Sequence, residues 1–270
     1  MKRLMTLTFA VAMMLAVSNT IRAEVTMKSV EYKDGDTVLE GYVAYDAAKI
    51  KERGGKAPGV ILVHQWKGLT EHEKTWANRL AEQGYVAFAA DIYGKGNDAA
   101  QGNKAREFAG KYRGDIPLFR SRLKAALTQI RSMDNVDGDR IACIGFCFGG
   151  TGALELARSG ADVRAVVSLH GGIKSETPED AKNITASVLV LHGADDRGVP
   201  PADVVAFFEE MQKGNVKDWH LVAFGNTVHS FTHEELKGVD PKTSNSAYNE
   251  DAARRSWSYM LDFFKDVLDR

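Results

Sequence analysis

Five short runs constrain this chain more than anything else in it: GVILVH from Gly59, YVAFAAD from Tyr85, RIACIGF from Arg140, VRAVVSLH from Val163 and SVLVLHG from Ser187. Each is almost continuously apolar rather than alternating, as expected of a strand covered on both faces. Helical patterns lie between and after them. One runs over Thr70 to Gln83, with Thr70 and Glu73 spaced as a capping box and Gly84 as the stop. Others span Ile116 to Met133, Phe148 to Ser159 closed by Gly160, and Ala202 to Lys213. A sixth strand, WHLVAF from Trp219, precedes a terminal helix over Ser246 to Leu268. Strands alternating with helices predict an α/β fold, a mostly parallel central sheet with helices on both faces. Ahead of it, Glu24 to Tyr32 and Thr37 to Tyr45 flank KDGD and read as an N-terminal antiparallel hairpin. Lys95 to Gly114 and Lys237 to Asn245 read as irregular loops.

The first 23 residues have a different character. Lys2 and Arg3 precede an apolar run from Leu4 to Val17, and a short polar stretch ends at Ala23. This is the order of a secretory signal peptide, and the run is shorter than the roughly 20 residues of a membrane span. The expectation is a 24–270 domain exported to the periplasm or medium, without stable membrane insertion after cleavage. Losing Lys2, Arg3 and Arg22 takes the formal charge from −1 to −4. No long basic run remains, so a nucleic-acid partner is not expected.

Export would favour a disulfide between the two cysteines, but Cys143 and Cys147 fall in one strand run. Four residues of strand separate their Cα atoms by ~13 Å, beyond the ~7 Å a bridge tolerates. Both are expected as free thiols, Cys143 as buried filler. Cys147 is different, because Gly145 and Gly149 flank it in IGFCFGG, where strand must become helix. That is the spacing of a nucleophile elbow with cysteine in the serine position. The competing reading is a small residue filling a strand end; the register of the glycines favours the elbow. The start of the following helix would also favour thiolate over thiol.

In such folds ligands bind beyond the carboxyl ends of the strands. His64, Asp91, Cys147, His170, His192 and His229 all fall there, with Asp195 and Asp196 just after His192. A thiolate needs a base, and the base an orienting carboxylate. The order cysteine, aspartate, histidine matches that of α/β-hydrolases. On the residues alone, Asp195 and Asp196 remain alternatives. His72 and His220 read as surface or packing residues, and His170 and His192 as hydrogen-bonding groups of the rim.

HQWKGL, GYVAFAADIYGKG, GFCFGG, HGADDRGVP and HSF, in that order from about Val38 onward, resemble the dienelactone hydrolase family of the α/β-hydrolase superfamily. The resemblance implies an α/β-hydrolase fold and a triad of Cys147, His229 and Asp196. Asp196 is chosen over Asp195 because it stands four residues before Pro200. It also implies an oxyanion hole from the backbone N–H groups of Trp66 and Phe148, a small ester or lactone as substrate, and neither cofactor nor metal. Gln65, Tyr93, Arg113 and His233 stand as candidate substrate contacts, with Lys67, Lys95 and Arg106 as further sources of positive charge. Two positions depart from the family pattern. Family members acting on dienelactone carry, near the position of Gln65, a glutamate that helps activate the thiol, and an arginine that holds the substrate carboxylate where this chain has Thr232 and His233. These departures leave two other readings: a non-catalytic small-ligand binder, or a thiol-based redox sensor built on Cys147. A metal site built from His229 and His233 is the least favoured.

Overall fold

The computed structural model describes residues 24–97 and 103–269, so the predicted signal segment lies outside it. Strands β1 (Val25–Asp34) and β2 (Thr37–Asp46) form the expected hairpin, paired antiparallel from Val25 with Asp46 to Asp34 with Thr37. Gly35, the first of its two loop residues, has φ +57°, the left-handed backbone that so short a connection requires. Asp46 then caps a short helix, α1 (Ala47–Glu52), by accepting from the Ala48 and Lys49 amides.

The rest of the sheet comprises β3 (Ala57–Val63), β4 (Val86–Ala90), β5 (Val136–Phe146), β6 (Ala165–Leu169), β7 (Ser187–Gly193) and β8 (Trp219–Phe224). These strands lie in the order β1-β2-β4-β3-β5-β6-β7-β8. From β4 to β8 every pairing is parallel, and β2 joins β4 antiparallel. The β3, β4 and β6 side chains are all buried, which is why these strands read as continuous apolar runs rather than alternating ones.

Two apolar layers sandwich the sheet. On one face Val60, Leu62, Ala142 and Ile144 pack against α2 (Glu71–Glu82) and α7 (Glu250–Leu268) through Trp76, Leu80, Met260 and Phe264. On the other, Ile61, Val63, Cys143 and Val166 meet α4 (Ile116–Arg131), α5 (Phe148–Arg158) and α6 (Pro201–Lys213). Cys143 is therefore core filler, and burial pushes its thiol pKa up. Among the described residues no helix is long and apolar enough to cross a membrane.

Two boundaries differ from the sequence reading. Residues 104–114 form a helix, α3 (Lys104–Gly114), with Ala105, Ala109 and Tyr112 buried on one face. Its spacing of four and three residues is helical, but Gly110 and Gly114 lower the propensity and mask it. The terminal helix begins at Glu250 rather than Ser246, because Asn249 caps it by accepting from Ala252 N–H.

Candidate active site

The turn from β5 into α5 puts Cys147 at φ +53°, outside the region open to most side chains at low cost. Its amide donates to the Leu169 carbonyl at 3.0 Å, and its own carbonyl accepts from Gly150 and Thr151. Both flanking glycines are required sterically. A Cβ at Gly145 would overlap the Gly149 carbonyl, and one at Gly149 would overlap the Val63 carbonyl and crowd that of His64. Gly149 thus lets the elbow pack onto the end of β3, from which the Gln65–Thr70 loop departs.

His229 lies in the loop after β8 and links Cys147 to Asp196. Its Nδ1 is 2.7 Å from Asp196 Oδ2, and its imidazole and the Cys147 thiol act on each other's titration. Asp196 is buried, and its Oδ1 accepts from Gly198 N–H at 2.8 Å and Asn245 Nδ2 at 3.0 Å. Asp195, in contrast, is exposed, so Asp196 is the aspartate brought to the histidine. Burial alone would raise the carboxyl pKa, but His229, Asn245 and the Gly198 amide hold it below the usual range.

The cysteine–histidine pair is polarised strongly. Burial would push the Cys147 thiol up, but the hydrogen bond and charge of His229, the Arg113 guanidinium and the Phe148 amide together hold it below its ordinary value. Burial would pull His229 down, yet Asp196 and Cys147 push it up to about 10. The favoured state is a thiolate–imidazolium pair.

The other candidates divide by location. Arg113, at the end of α3, is exposed and lies over the Phe148 ring at 5.7 Å, within electrostatic reach of the thiol. The Tyr93 hydroxyl donates to the Trp66 carbonyl at 2.9 Å. Gln65 is buried and accepts from Lys67 N–H through Oε1 at 3.3 Å. His233 is buried, stacked on His72 with ring centroids 3.8 Å apart, and held through Nδ1 by Glu235 at 2.8 Å. The Phe148 amide helps to lower the Cys147 thiol, and the Trp66 amide has no acceptor among the described residues. Lys95 turns away to pair with Glu31 and Glu40.

One group among the described residues could hold a metal: His72, His233 and Glu235. Its two imidazoles stack with only 9° between their planes, so their in-plane lone pairs run side by side instead of converging on one ion. His229 is engaged by Asp196 and Cys147 and is not part of that group.

Several residues around the site have contacts that the sequence did not signal. Asn245 is the second partner of Asp196 and comes from a segment read as featureless loop. Thr232 bonds His170 Nε2 at 2.8 Å; burial and the neighbouring histidines keep His170 well below the usual histidine range. Glu73, read only as a helix cap, also reaches the Gln65 amide at 3.1 Å.

An eight-stranded, mostly parallel sheet carrying a strained nucleophile elbow, with a histidine and an aspartate on the following loops, defines an α/β-hydrolase. The chain belongs to the dienelactone hydrolase family, whose profile it matches over residues 39–268. It is a hydrolase of that type. A Salmonella typhimurium protein described as a carboxymethylenebutenolidase is 27% identical over 237 residues, covering 80% of each chain. Among solved structures, the chain named m3DLH superposes with a TM-score of 0.83 at 38% identity, covering 90% of this chain and 99% of that one. A dienelactone hydrolase-like promiscuous phosphotriesterase from metagenomic libraries gives 0.82 at 38% identity, over 90% and 98% of the two chains.

Proposed function

We propose that this hydrolase cleaves a small carboxylic ester or lactone through an acyl-enzyme on Cys147, with His229 as proton carrier and Asp196 as its orienter. The observation that carries the reading is the position of His229, held by a buried carboxylate at 2.7 Å and close enough to Cys147 for each to shift the other's titration. The thiolate attacks the carbonyl carbon, and the oxygen that gains the electron pair is stabilised by the Trp66 and Phe148 amides. As the tetrahedral adduct collapses, the imidazolium gives its proton to the departing alkoxide. In a lactone the leaving oxygen stays tethered to the acyl group. Once sulfur is acylated, His229 loses one of the two partners that raise its pKa. The imidazole left after proton transfer can then take a proton from water, which attacks the thioester and releases the acid and the thiolate.

Gln65 and His233, in place of the family's acid and arginine, favour substrates that need neither an accessory base nor a bidentate carboxylate clamp. Arg113 supplies an exposed positive charge that acts on the thiol. The test is hydrolysis of p-nitrophenyl acetate and of a dienelactone, with intact-mass detection of the acyl adduct, beside Cys147→Ala. Full activity in the variant would overturn the nucleophile assignment. Saturable binding without turnover by folded wild-type protein would favour the non-catalytic reading. Peroxide labelling of Cys147 ahead of Cys143 would show redox sensitivity at the same thiol.

The metagenomic relative supports a second reading, turnover of an activated phosphotriester at the same cysteine. Release of p-nitrophenol from a diethyl aryl phosphate, absent in Cys147→Ala, would establish it. We further propose export, on the pattern of residues 1–23; recovery of a chain beginning near Glu24 in the periplasm or medium is the expected result.

A further inference from the structure

We propose that His64, a buried residue at the end of β3, is a positioning residue that sets the oxyanion hole by holding the Gln65–Trp66 peptide plane and packing against Phe148. The inference rests on the hydrolase reading above and concerns how its charge-stabilising donors are held in place.

The argument begins with a tautomer. His64 has no solvent exposure, and its Nε2 lies 3.2 Å from the Ile92 amide nitrogen. A backbone N–H can only donate, so Nε2 is the acceptor and the ring proton resides on Nδ1. Nδ1–H then donates to the Gln65 carbonyl at 2.7 Å, and the Gly68 amide donates to the same oxygen at 3.1 Å. Burial lowers the His64 pKa and keeps the ring neutral.

The Gln65 carbonyl and the Trp66 N–H belong to one planar trans peptide and point in opposite directions. Two donors pulling on the carbonyl from one side therefore aim the N–H to the other and polarise it. The neighbouring groups are fixed as well. Glu73 accepts from the Gln65 amide at 3.1 Å and the Thr70 amide at 2.8 Å, and the Tyr93 hydroxyl donates to the Trp66 carbonyl at 2.9 Å. Of the backbone polar groups of Gln65 and Trp66, only the Trp66 N–H has no partner among the described residues. With its flanking groups tied, the Gln65–Trp66 peptide leaves its N–H for the substrate.

His64 also packs on the side chain of Phe148, the residue that carries the second donor. Its ring stacks on that of Phe148, with centroids 5.9 Å apart and planes 18° from parallel, and Tyr93 packs edge-on against it at 4.6 Å. Both N–H groups proposed to hold the oxyanion are thus referenced to one imidazole.

The test compares three variants in the full chain, each checked for fold by circular dichroism and melting. His64→Phe keeps the stack and removes both hydrogen bonds. His64→Asn keeps a donor close to the Nδ1 position. His64→Gln reaches the Nε2 position instead, giving up the bond to Gln65, and substitutes if the phenylalanine variant does not fold. Three readouts separate the roles: alkylation of Cys147 by iodoacetamide, which needs no oxyanion hole; kcat and KM on p-nitrophenyl acetate; and affinity for an aryl trifluoromethyl ketone, whose thiol adduct carries the oxyanion.

Removing an oxyanion donor outright costs about 10²–10³ in kcat, so losing its alignment should cost about 10–100-fold. His64→Phe and His64→Gln are expected to lose that much in kcat and in ketone affinity, with KM and alkylation within about 2-fold of wild type, while His64→Asn retains most of both. Wild-type turnover and ketone affinity in a folded His64→Phe or His64→Gln protein would overturn the proposal. So would hydrolysis and alkylation falling together in folded protein, since His64 would then act on the thiol. A wild-type protein that alkylates but neither turns over ester nor forms an acyl adduct would overturn the hydrolase reading itself, an outcome visible before any His64 variant is measured.

Discussion

His229 Nδ1 sits 2.7 Å from Asp196 Oδ2, and the carboxylate that receives it has no exposed side-chain surface. Both oxygens of Asp196 are occupied, one by the histidine and the other by Gly198 and Asn245, so the ring it orients has one preferred setting. Asp196→Asn keeps the shape and replaces one acceptor oxygen by a donor. The expected result is a fall of about 10²–10⁴-fold in kcat/KM, by analogy with the orienting aspartate of serine triads. The same variant should raise the pH midpoint of Cys147 alkylation, since His229 loses a partner that keeps it protonated. An unchanged midpoint would mean that Asp196 does not support the imidazolium.

The pH dependence of the thiol follows from the same pair. Cys147 is depressed below its ordinary value and His229 is raised to about 10, so the thiolate–imidazolium state occupies the interval between them. Lowering the pH through the depressed thiol value returns a proton to sulfur and should slow alkylation. Raising it above that value should change little until His229 itself titrates near 10, because the thiolate is then already formed. A free thiol would instead accelerate toward about pH 8.5. His229→Ala should convert the first profile into something close to the second, and iodoacetamide kinetics from pH 4 to 10 would show it.

Much of this site was legible because chemistry and punctuation coincide in the chain. Cys147 is marked by glycines two positions either side, and the placing of Asp196 and His229 in loops at the same rim follows from the alternation of strands and helices. What escaped is what depends on tertiary approach. Nothing local distinguishes Asn245 from any loop asparagine, yet it closes the hydrogen-bonding of Asp196 across 49 residues of sequence. His64 and His170 look equivalent as rim histidines, but one receives the Ile92 amide and the other bonds the Thr232 hydroxyl. The α3 helix was hidden by glycines on its exposed face, where they weaken the pattern without breaking it.

Gly149 tests the elbow as architecture. A methyl group there would meet the carbonyls of Val63 and His64, which are backbone atoms and cannot swing aside. Gly149→Ala should therefore force α5 away from β3, costing on the order of 1–3 kcal/mol of stability by overpacking. Activity should fall further than stability does, since the displaced backbone carries the Phe148 amide. Urea unfolding paired with kcat on p-nitrophenyl acetate would separate the two effects. A variant with wild-type stability and turnover would contradict the fit described here.

Far from the elbow, Arg158 closes a buried charge network at the other end of α5. Its guanidinium bonds Glu210 through two nitrogens at 2.7 and 2.8 Å, Glu155 at 2.9 Å and the Ile173 carbonyl at 2.8 Å, with no exposed side-chain surface. Arg158→Met would strand the nearly buried Glu210 carboxylate without its partner, a loss of about 3–5 kcal/mol for a broken buried pair. Urea titration should show this, while Cys147 alkylation in the folded fraction should be unchanged. Replacing Arg158 and Glu210 together by apolar residues should recover part of the loss, because no unpaired charge then remains at that contact.

Arg113 provides a charge on the thiol that comes from outside the Cys147–His229–Asp196 set. It is exposed, and it acts on Cys147 across the Phe148 ring rather than through a hydrogen bond. A charge in that position is screened by salt, whereas the His229 contact is not, because the Debye length at 1 M is only ~3 Å. Arg113→Gln is therefore expected to move the Cys147 alkylation midpoint slightly upward, and 1 M NaCl should move the wild-type midpoint the same way while leaving the variant where it is. If an anionic substrate is also steered by this side chain, the variant should raise KM for a dienelactone carboxylate more than for neutral p-nitrophenyl acetate. Equal KM changes for the two would confine Arg113 to tuning the thiol.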